Sequence, residues 1–194
     1  MFGGTFDPPH IGHAIVARDV LERLDLDRLL VVPAARPPHR DATLPPAVRL
    51  ALTRRLFEGA EGIEVSDVEY QRSGPSYAVE TLEAVRRQTE GADLTLVIGA
   101  DQLALIDTWH DYERLPRLAR IAVMRREGDE PALPDTARDL PYIAVDVTRI
   151  DLSASRIRER LRRGRPIRYL VPESIRVDIE RAWHEAARAQ PASR

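Results

Sequence analysis

Three glycines, two prolines and two histidines crowd the start of the chain, in the stretch GGTFDPPHIGH at residues 3 to 13. The glycines allow a ligand to approach the backbone closely, and a helix is predicted to begin near Gly12. The free N–H groups and partial positive charge at the start of that helix attract phosphate. His10 and His13 would lie on the same side of its first turn, where two imidazoles stabilise charge that develops on an anion. The stretch therefore predicts a phosphate-binding site.

Two other interpretations of this stretch stay open. One is a plain turn, formed by the glycines and prolines, with the histidines on the surface. The other is a metal site, but two histidines three residues apart without a clear third ligand are weak evidence for one. We therefore assign no metal ligands.

A second phosphate-binding segment is predicted near the end of the chain, in LSASRIRERL at residues 152 to 161. Ser153 or Ser155 can cap a helix there, and the first N–H groups of that helix can hold phosphate oxygens. Arg158 lies one turn further along and would add a permanent positive charge. The alternative is a capped amphipathic helix whose apolar residues face inward.

The elements that must position these segments alternate between strands and helices. Apolar runs predict strands at residues 28–33, 63–70, 93–99, 119–125 and 142–147. Apolar residues that recur about every 3.6 residues predict four helices. Their apolar stripes are Ala14, Ala17, Leu21 and Leu24; Val48, Leu52 and Leu56; Val79, Leu82 and Val85; and Ile175, Ile179, Trp183 and Ala186. Strand and helix in alternation predict an α/β fold with right-handed crossovers around a parallel sheet.

One domain is expected for residues 1–194, since that length can bury a substantial core. Its last part, about 153–190, is predicted to be helical, and the tail 190–194 to be frayed. The stretch at 127–141 is predicted to be a loop because it is acidic and contains prolines. Only two residues precede the glycine pair, so the first strand is either a stub or begins upstream.

The composition excludes several kinds of chemistry. The chain has no cysteine, which removes thiol nucleophiles, disulfides and thiolate metal sites, and it has no lysine, which removes Schiff-base lysines and the P-loop lysine. The net charge of −2 gives no general attraction to nucleic acid or to membranes, and no apolar run is long enough to span a bilayer. We expect a cytoplasmic protein without nucleic-acid or membrane partners. A homo-oligomer is compatible with the sequence.

The motifs resemble those of a known superfamily. GGTFDPPHIGH is similar to the GxFDPxHxGH signature of the nucleotidylyltransferases, and LSASRIRERL to their ISSTxIR, with Ala154 where the pattern has Ser or Thr. Three further stretches resemble the bacterial nicotinate-nucleotide adenylyltransferases: VPAARPPHR (32–40), GPSYAVETL (74–82) and IGADQLALIDTWHDYERL (98–115). With YLVPESIRVDI (169–179), the resemblance spans nearly the whole chain.

The resemblance implies a reaction and a fold. Nicotinate-nucleotide adenylyltransferases transfer the adenylyl group of ATP to nicotinate mononucleotide, giving deamido-NAD and pyrophosphate. The resemblance also implies Mg²⁺ bound through the ATP phosphates. The implied fold is a Rossmann-like open parallel sheet with helices on both faces and a small C-terminal helical part.

The resemblance also implies site residues by position. ATP would meet Gly3, Gly4, Thr5, Phe6, His10, His13, Asp101, Arg125, Ser153, Ser155 and Arg158, of which His10, His13, Ser155 and Arg158 would be catalytic. Nicotinate mononucleotide would meet His39, Arg40, Thr81, Trp109 and His110, with the indole stacked on the pyridine ring. Without the resemblance, Asp101 is interpreted as a strand end and Thr81 as an ordinary helix residue. Trp109 is alternatively a core aromatic, but the polar residues around it favour a ligand pocket.

Other functions stay open. The acceptor is alternatively nicotinamide mononucleotide or phosphopantetheine, or the reaction is cytidylyl transfer to a phosphorylated alcohol. A different class of function is a nucleotide-binding regulator that has lost catalysis. The presence of both His10 and His13 argues against the regulator, while Ala154 and the short first strand argue weakly for it.

Overall fold

The computed structural model describes residues 1–38, 41–125 and 130–189, and these form one parallel sheet flanked by helices. The strands are β1 (Phe2–Gly4), β2 (Leu29–Pro33), β3 (Ile63–Val65), β4 (Thr95–Gly99), β5 (Arg120–Arg125) and β6 (Ile143–Asp146). The helices are α1 (Ile11–Arg23), α2 (Pro46–Leu56), α3 (Ala78–Gln88), α4 (Ala100–Leu103), α5 (Leu115–Leu118), α6 (Ala154–Arg162) and α7 (Glu173–Ala189).

The strand order confirms the predicted Rossmann-like α/β fold. The strands run in the order β3-β2-β1-β4-β5-β6, and every neighbouring pair is parallel. Phe2 of β1 lies opposite Val31 on one side and Val97 on the other. From β1 the chain therefore builds one half of the sheet on one side and then, from β4, the other half on the opposite side. In such sheets, ligands bind outside the carboxyl ends of the strands, at the point where the strand order reverses.

Both faces of the sheet are covered, which explains why its strands are apolar throughout. Leu96 and Ile98 of β4 pack in one core, together with the buried stripe of α3. Val97, between them, points to the opposite face and packs in a second core with Ala17 and Val20 of α1. Burial on both sides is typical of a parallel sheet in an α/β fold.

The C-terminal helices form a third core with α2. Ile157 of α6 and Ile175 and Ile179 of α7 are fully buried there, beside Leu52 of α2. Trp183 lies in the same cluster, as the apolar stripe predicts. The inward face of α6 fixes the helix against the rest of the chain, and its first turn is thereby held near the sheet edge.

One predicted strand differs from the structure, and the first strand has one of the two forms that the sequence left open. The predicted strand at 63–70 ends at Val65, and Val68–Gln71 forms a 3₁₀ turn, because Glu69 turns inward to bind a neighbouring loop. The first strand is only three residues long, although its ladder continues through Met1, whose carbonyl accepts from Val97 N–H (2.9 Å).

Two predicted irregular segments lie partly or wholly outside the described residues. Residues 130–141 of the predicted loop contain a short 3₁₀ turn at Asp135–Ala137, and 127–129 are outside the described part, as is the predicted tail at 190–194. Over the described ranges, the helices are all too short or too polar to cross a membrane.

Candidate active site

A cleft of about 770 Å³ opens at the carboxyl edge of the sheet, beside β1 and β4. That volume is in the range of ligand-binding cavities. The sequence-predicted residues that line it are Gly3, Gly4, Thr5, Phe6, His10, His13, Asp101, Trp109, His110, Arg125, Ser153, Ser155 and Arg158. The fold thus brings segments from distant parts of the chain to one place.

The two histidines of the opening motif stack on each other at the start of α1. His10 is the residue immediately before the helix and His13 is in its first turn; their ring centroids are 3.7 Å apart at 28°. The backbone N–H of His10 donates to Nδ1 of His13 (3.1 Å). A Cβ on Gly12 would lie 3.0 Å from Nδ1 of His10, so glycine at this position leaves room for the ring.

The surroundings of the pair keep both imidazoles neutral at pH 7. Burial lowers the pKa of His10 to about 4. Burial, followed by the proximity of His10, lowers the pKa of His13 well below its ordinary value. Nδ1 of His10 is buried and meets no hydrogen-bond partner among the described residues. A buried, unpaired nitrogen is unfavourable for stability and is typical of a functional site.

The start of α6 faces the same cleft and is tied to the opening motif. Ser153 is the N-cap, and its hydroxyl accepts from Arg156 N–H (3.2 Å). The guanidinium of Arg158 donates to Oγ of Ser155 (3.0 Å) and to the carbonyl of Asp7 (2.6 Å). The two predicted phosphate-binding segments are therefore in direct contact, and a helix N-terminus and a guanidinium both face the cleft.

An aromatic wall closes the other end of the cleft. Tyr77, just before α3, stacks on His110 with ring centroids 4.3 Å apart. Trp109, the residue before His110, is half-buried. It lines the cleft and packs against the first core. The two interpretations of Trp109 are thus compatible, because one face of an indole can pack in the core while the other meets a ligand.

Asp101 follows the end of β4, and Arg125 is the last residue of β5. Asp101 is the second residue of α4, and a Cβ at position 99 would lie 2.5 Å from its Oδ1, so a side chain there would require the carboxylate to move. Arg125 is bound by Asp146 (2.9 Å) and Glu130 (3.3 Å). In the described part of the chain, these carboxylates share its charge.

The structure places the side chain of Thr81 behind the cleft, and its predicted contact with a ligand stays a prediction. Its side chain is fully buried and is not part of the cleft surface. The hydroxyl donates to Glu69 (2.7 Å), and Glu69 lines the cleft, so Thr81 supports the wall from behind. His39 and Arg40 lie outside the described residues.

Sequence reasoning missed three buried charged residues: Asp7, Arg49 and Glu69. Asp7 is inside the opening motif, and its carboxylate accepts from the N–H groups of Thr43 (2.7 Å) and Leu44 (2.9 Å). Arg49 lies between Val48 and Leu50 on α2, and nothing in the local sequence indicates that its guanidinium is buried. In the described ranges, no cluster of three or more His, Asp or Glu is arranged to hold a metal.

Comparisons with known proteins agree with this geometry. Residues 1–160 match the cytidylyltransferase-like family. A probable nicotinate-nucleotide adenylyltransferase of Gemmatimonas aurantiaca is 44% identical over 181 residues, which cover 90% of this chain and 86% of that protein. Another, of Thermus thermophilus, is 39% identical and covers 93% and 95%. A solved structure of Plasmodium falciparum nicotinic acid mononucleotide adenylyltransferase complexed with NaAD has a TM-score of 0.76 at 15% identity, over 96% of this chain and 95% of that one, which shows the shared fold.

Proposed function

Because the chain belongs to the cytidylyltransferase-like family, and within it to the nicotinate-nucleotide adenylyltransferases, we propose that it transfers the adenylyl group of ATP to nicotinate mononucleotide. The products are deamido-NAD and pyrophosphate. The observation that carries the proposal is the contact between the two predicted phosphate-binding segments: the stacked His10 and His13 at the start of α1, and Arg158 on α6, face one cleft.

The chemistry needs no protein nucleophile. An oxygen of the 5'-phosphate of nicotinate mononucleotide attacks the α-phosphorus of ATP, and the bond from that phosphorus to the bridging oxygen of the β-phosphate breaks. The acceptor phosphate is already anionic near neutral pH, so a general base is dispensable. The protein must hold the two substrates in line and stabilise the charge that develops on pyrophosphate.

The site residues divide this task between them. The neutral rings of His10 and His13 donate hydrogen bonds to the α- and β-phosphates, whose negative charge raises the pKa of both rings when ATP is bound. Arg158 exchanges its contact with the Asp7 carbonyl for one with the departing phosphates. The hydroxyl of Ser155, which contacts Arg158, binds the same phosphates. ATP enters with Mg²⁺ on its phosphates, which neutralises part of their charge.

The aromatic wall selects the acceptor. Trp109 stacks on the pyridine ring, and the neighbouring His110 and backbone N–H groups receive the carboxylate. Asp101 accepts from the ribose hydroxyls of the adenosine. His39 and Arg40 are proposed as contacts of the acceptor phosphate from the sequence resemblance alone.

The test is turnover with matched acceptors. The protein is incubated with ATP and Mg²⁺, with nicotinate mononucleotide or nicotinamide mononucleotide in parallel, and both pyrophosphate and dinucleotide are quantified. We expect one pyrophosphate per dinucleotide and faster turnover of the acid.

Other outcomes contradict parts of the proposal. Preference for the amide would keep the reaction and overturn the assigned carboxylate pocket. Binding of ATP without turnover of either acceptor would overturn the proposed activity and favour a regulator.

A further inference from the structure

Arg49 is the largest fully buried side chain described, and it lies outside the residues assigned to the reaction. It is on α2, and its guanidinium donates to four backbone carbonyls: Thr5 (2.8 Å), Ala34, Ala35 (3.1 Å) and Leu44 (3.1 Å). Thr5 belongs to the opening motif, whereas the other three are at the two ends of the segment that joins β2 to α2. One side chain therefore holds three separate stretches of backbone.

Two buried carboxylates complete the same arrangement. Asp7 accepts from the N–H groups of Thr43 and Leu44, at one end of the β2–α2 segment. Glu69 accepts from Ala35 N–H (3.1 Å), at the other end. Both carboxylates are close enough to Arg49 to favour its charged form, while burial lowers its pKa. We call Arg49, Asp7 and Glu69 the buried clamp.

Core packing alone does not explain such an arrangement. Burying charged groups carries a large desolvation penalty, and well-packed apolar residues of similar volume often give equal or greater stability. A planar guanidinium does what apolar residues cannot, because its five donors fix several carbonyls in one geometry. The clamp thus specifies where the loops lie relative to each other.

The loops that the clamp fixes are cleft walls. Thr5 lines the cleft beside the histidine pair, and Ala34, Pro37, Pro38 and Asp41 of the β2–α2 segment line it from the other side. Transfer between two bound nucleotides depends on their relative position, and a displacement of about 1 Å can lower the rate about 100-fold.

We propose that Arg49 is a positioning residue, which locks the opening motif and both ends of the β2–α2 segment into one unit and so aligns the acceptor nucleotide with the bound triphosphate. The assignment of the acceptor to this segment rests on the proposed function. The buried clamp itself does not depend on that function, because it is defined by hydrogen bonds within the chain.

The first arm of the test uses the full chain without substrates. Amide hydrogen exchange is measured for Ala35, Thr43 and Leu44 in the wild type and in Arg49→Lys, which keeps the charge but loses the planar set of donors. We expect exchange at these amides to accelerate at least about tenfold in the variant, while the amides of β4 keep their protection. Thr53→Val is the matched control: Thr53 is buried one turn further along α2 and donates only to the carbonyl of Arg49.

The second arm separates positioning from loss of folded protein. For Arg49→Lys we expect kcat to fall and KM for nicotinate mononucleotide to rise about tenfold, with KM for ATP changed less than about twofold, because β1 and α1 also hold the ATP side. A partly unfolded population would lower kcat and leave both KM values unchanged. Thr53→Val should keep the wild-type KM values.

The outcomes are distinguishable from those of the proposed function. If the wild type fails to turn over, the proposed function is wrong, and the exchange arm still decides whether the clamp exists. Unchanged exchange in Arg49→Lys, or equal acceleration throughout the chain, would overturn the inference. If Arg49→Lys does not fold, the wild type decides: its Ala35, Thr43 and Leu44 amides must exchange as slowly as those of β4, and exchange at the rate of exposed loops would overturn the clamp.

Discussion

The neutral state of His10 predicts a specific loss of stability in mild acid. The ring is only 5% exposed, and burial holds its pKa at about 4, whereas the same side chain in the unfolded chain titrates at about 6.5. Between these values the unfolded chain binds a proton that the folded protein does not. The folded state is therefore fully favoured above pH 6.5 and loses this advantage as the pH falls towards 4.

The size of the loss follows from the two pKa values. Lowering the pH from 7.5 to 5.0 crosses about one and a half pKa units in which only the unfolded state is protonated, which corresponds to about 2 kcal/mol for His10. His13 shifts in the same direction and adds to the loss. Other ionisable groups also contribute to the pH dependence of stability, so the contribution of His10 must be isolated by substitution.

The free energy of unfolding is measured in urea, by tryptophan fluorescence, for the wild type and for His10→Gln. Both proteins are measured at pH 7.5 and at pH 5.0. We expect the wild type to lose about 2 kcal/mol more than His10→Gln between the two pH values. The matched control is His184→Gln, at an exposed position on α7, which should behave like the wild type. Equal losses in the wild type and His10→Gln would refute the conclusion that the fold holds this ring neutral.

Three further outcomes are expected from single substitutions. His13→Ala should lower kcat on the order of 100-fold and change both KM values little, because its contact strengthens mainly in the transition state; steady-state kinetics checks this, and a near-wild-type kcat would remove His13 from the reaction. Trp109→Ala should raise KM for the acceptor about tenfold or more and Trp109→Phe much less, because stacking on one ring is worth about 1–3 kcal/mol; equal effects would contradict stacking. Ser153→Ala should lower the free energy of unfolding by about 1 kcal/mol in urea titration, whereas Ser153→Asp should retain it by capping the helix, and a loss in both would contradict the cap.

Local patterns in the sequence predicted most of the elements. The stripe of α3 is fully buried, and β2, β4, β5 and β6 each lie within a predicted strand. These predictions hold because periodic burial leaves a direct record in the order of apolar residues. The strand predicted at 63–70 was too long, since alternation of apolar residues does not reveal that Glu69 is drawn inward by a loop 34 residues earlier.

The candidate site was predicted less completely than the fold. The opening motif and the start of α6 could each be predicted to bind phosphate from local residue types, because glycines, caps and helix starts act within a few residues, and the structure places both at the cleft. Thr81 was assigned to the cleft from a motif, but only the tertiary packing determines which face of α3 is buried and which meets a ligand. The clamp around Arg49 joins residues up to 44 positions apart and has no local signature.

The sequence by itself determined the kind of chemistry that this chain supports, since the residue types and their spacing already select phosphate as the ligand and exclude thiol and lysine chemistry. The tertiary structure decided how the parts meet. The contact of Arg158 with Asp7 across 151 residues, the neutral stacked histidines and the four carbonyls on one guanidinium all depend on burial and on long-range geometry. Burial sets the pKa values and the desolvation penalties, and it is a property of the folded chain that no short stretch of sequence contains.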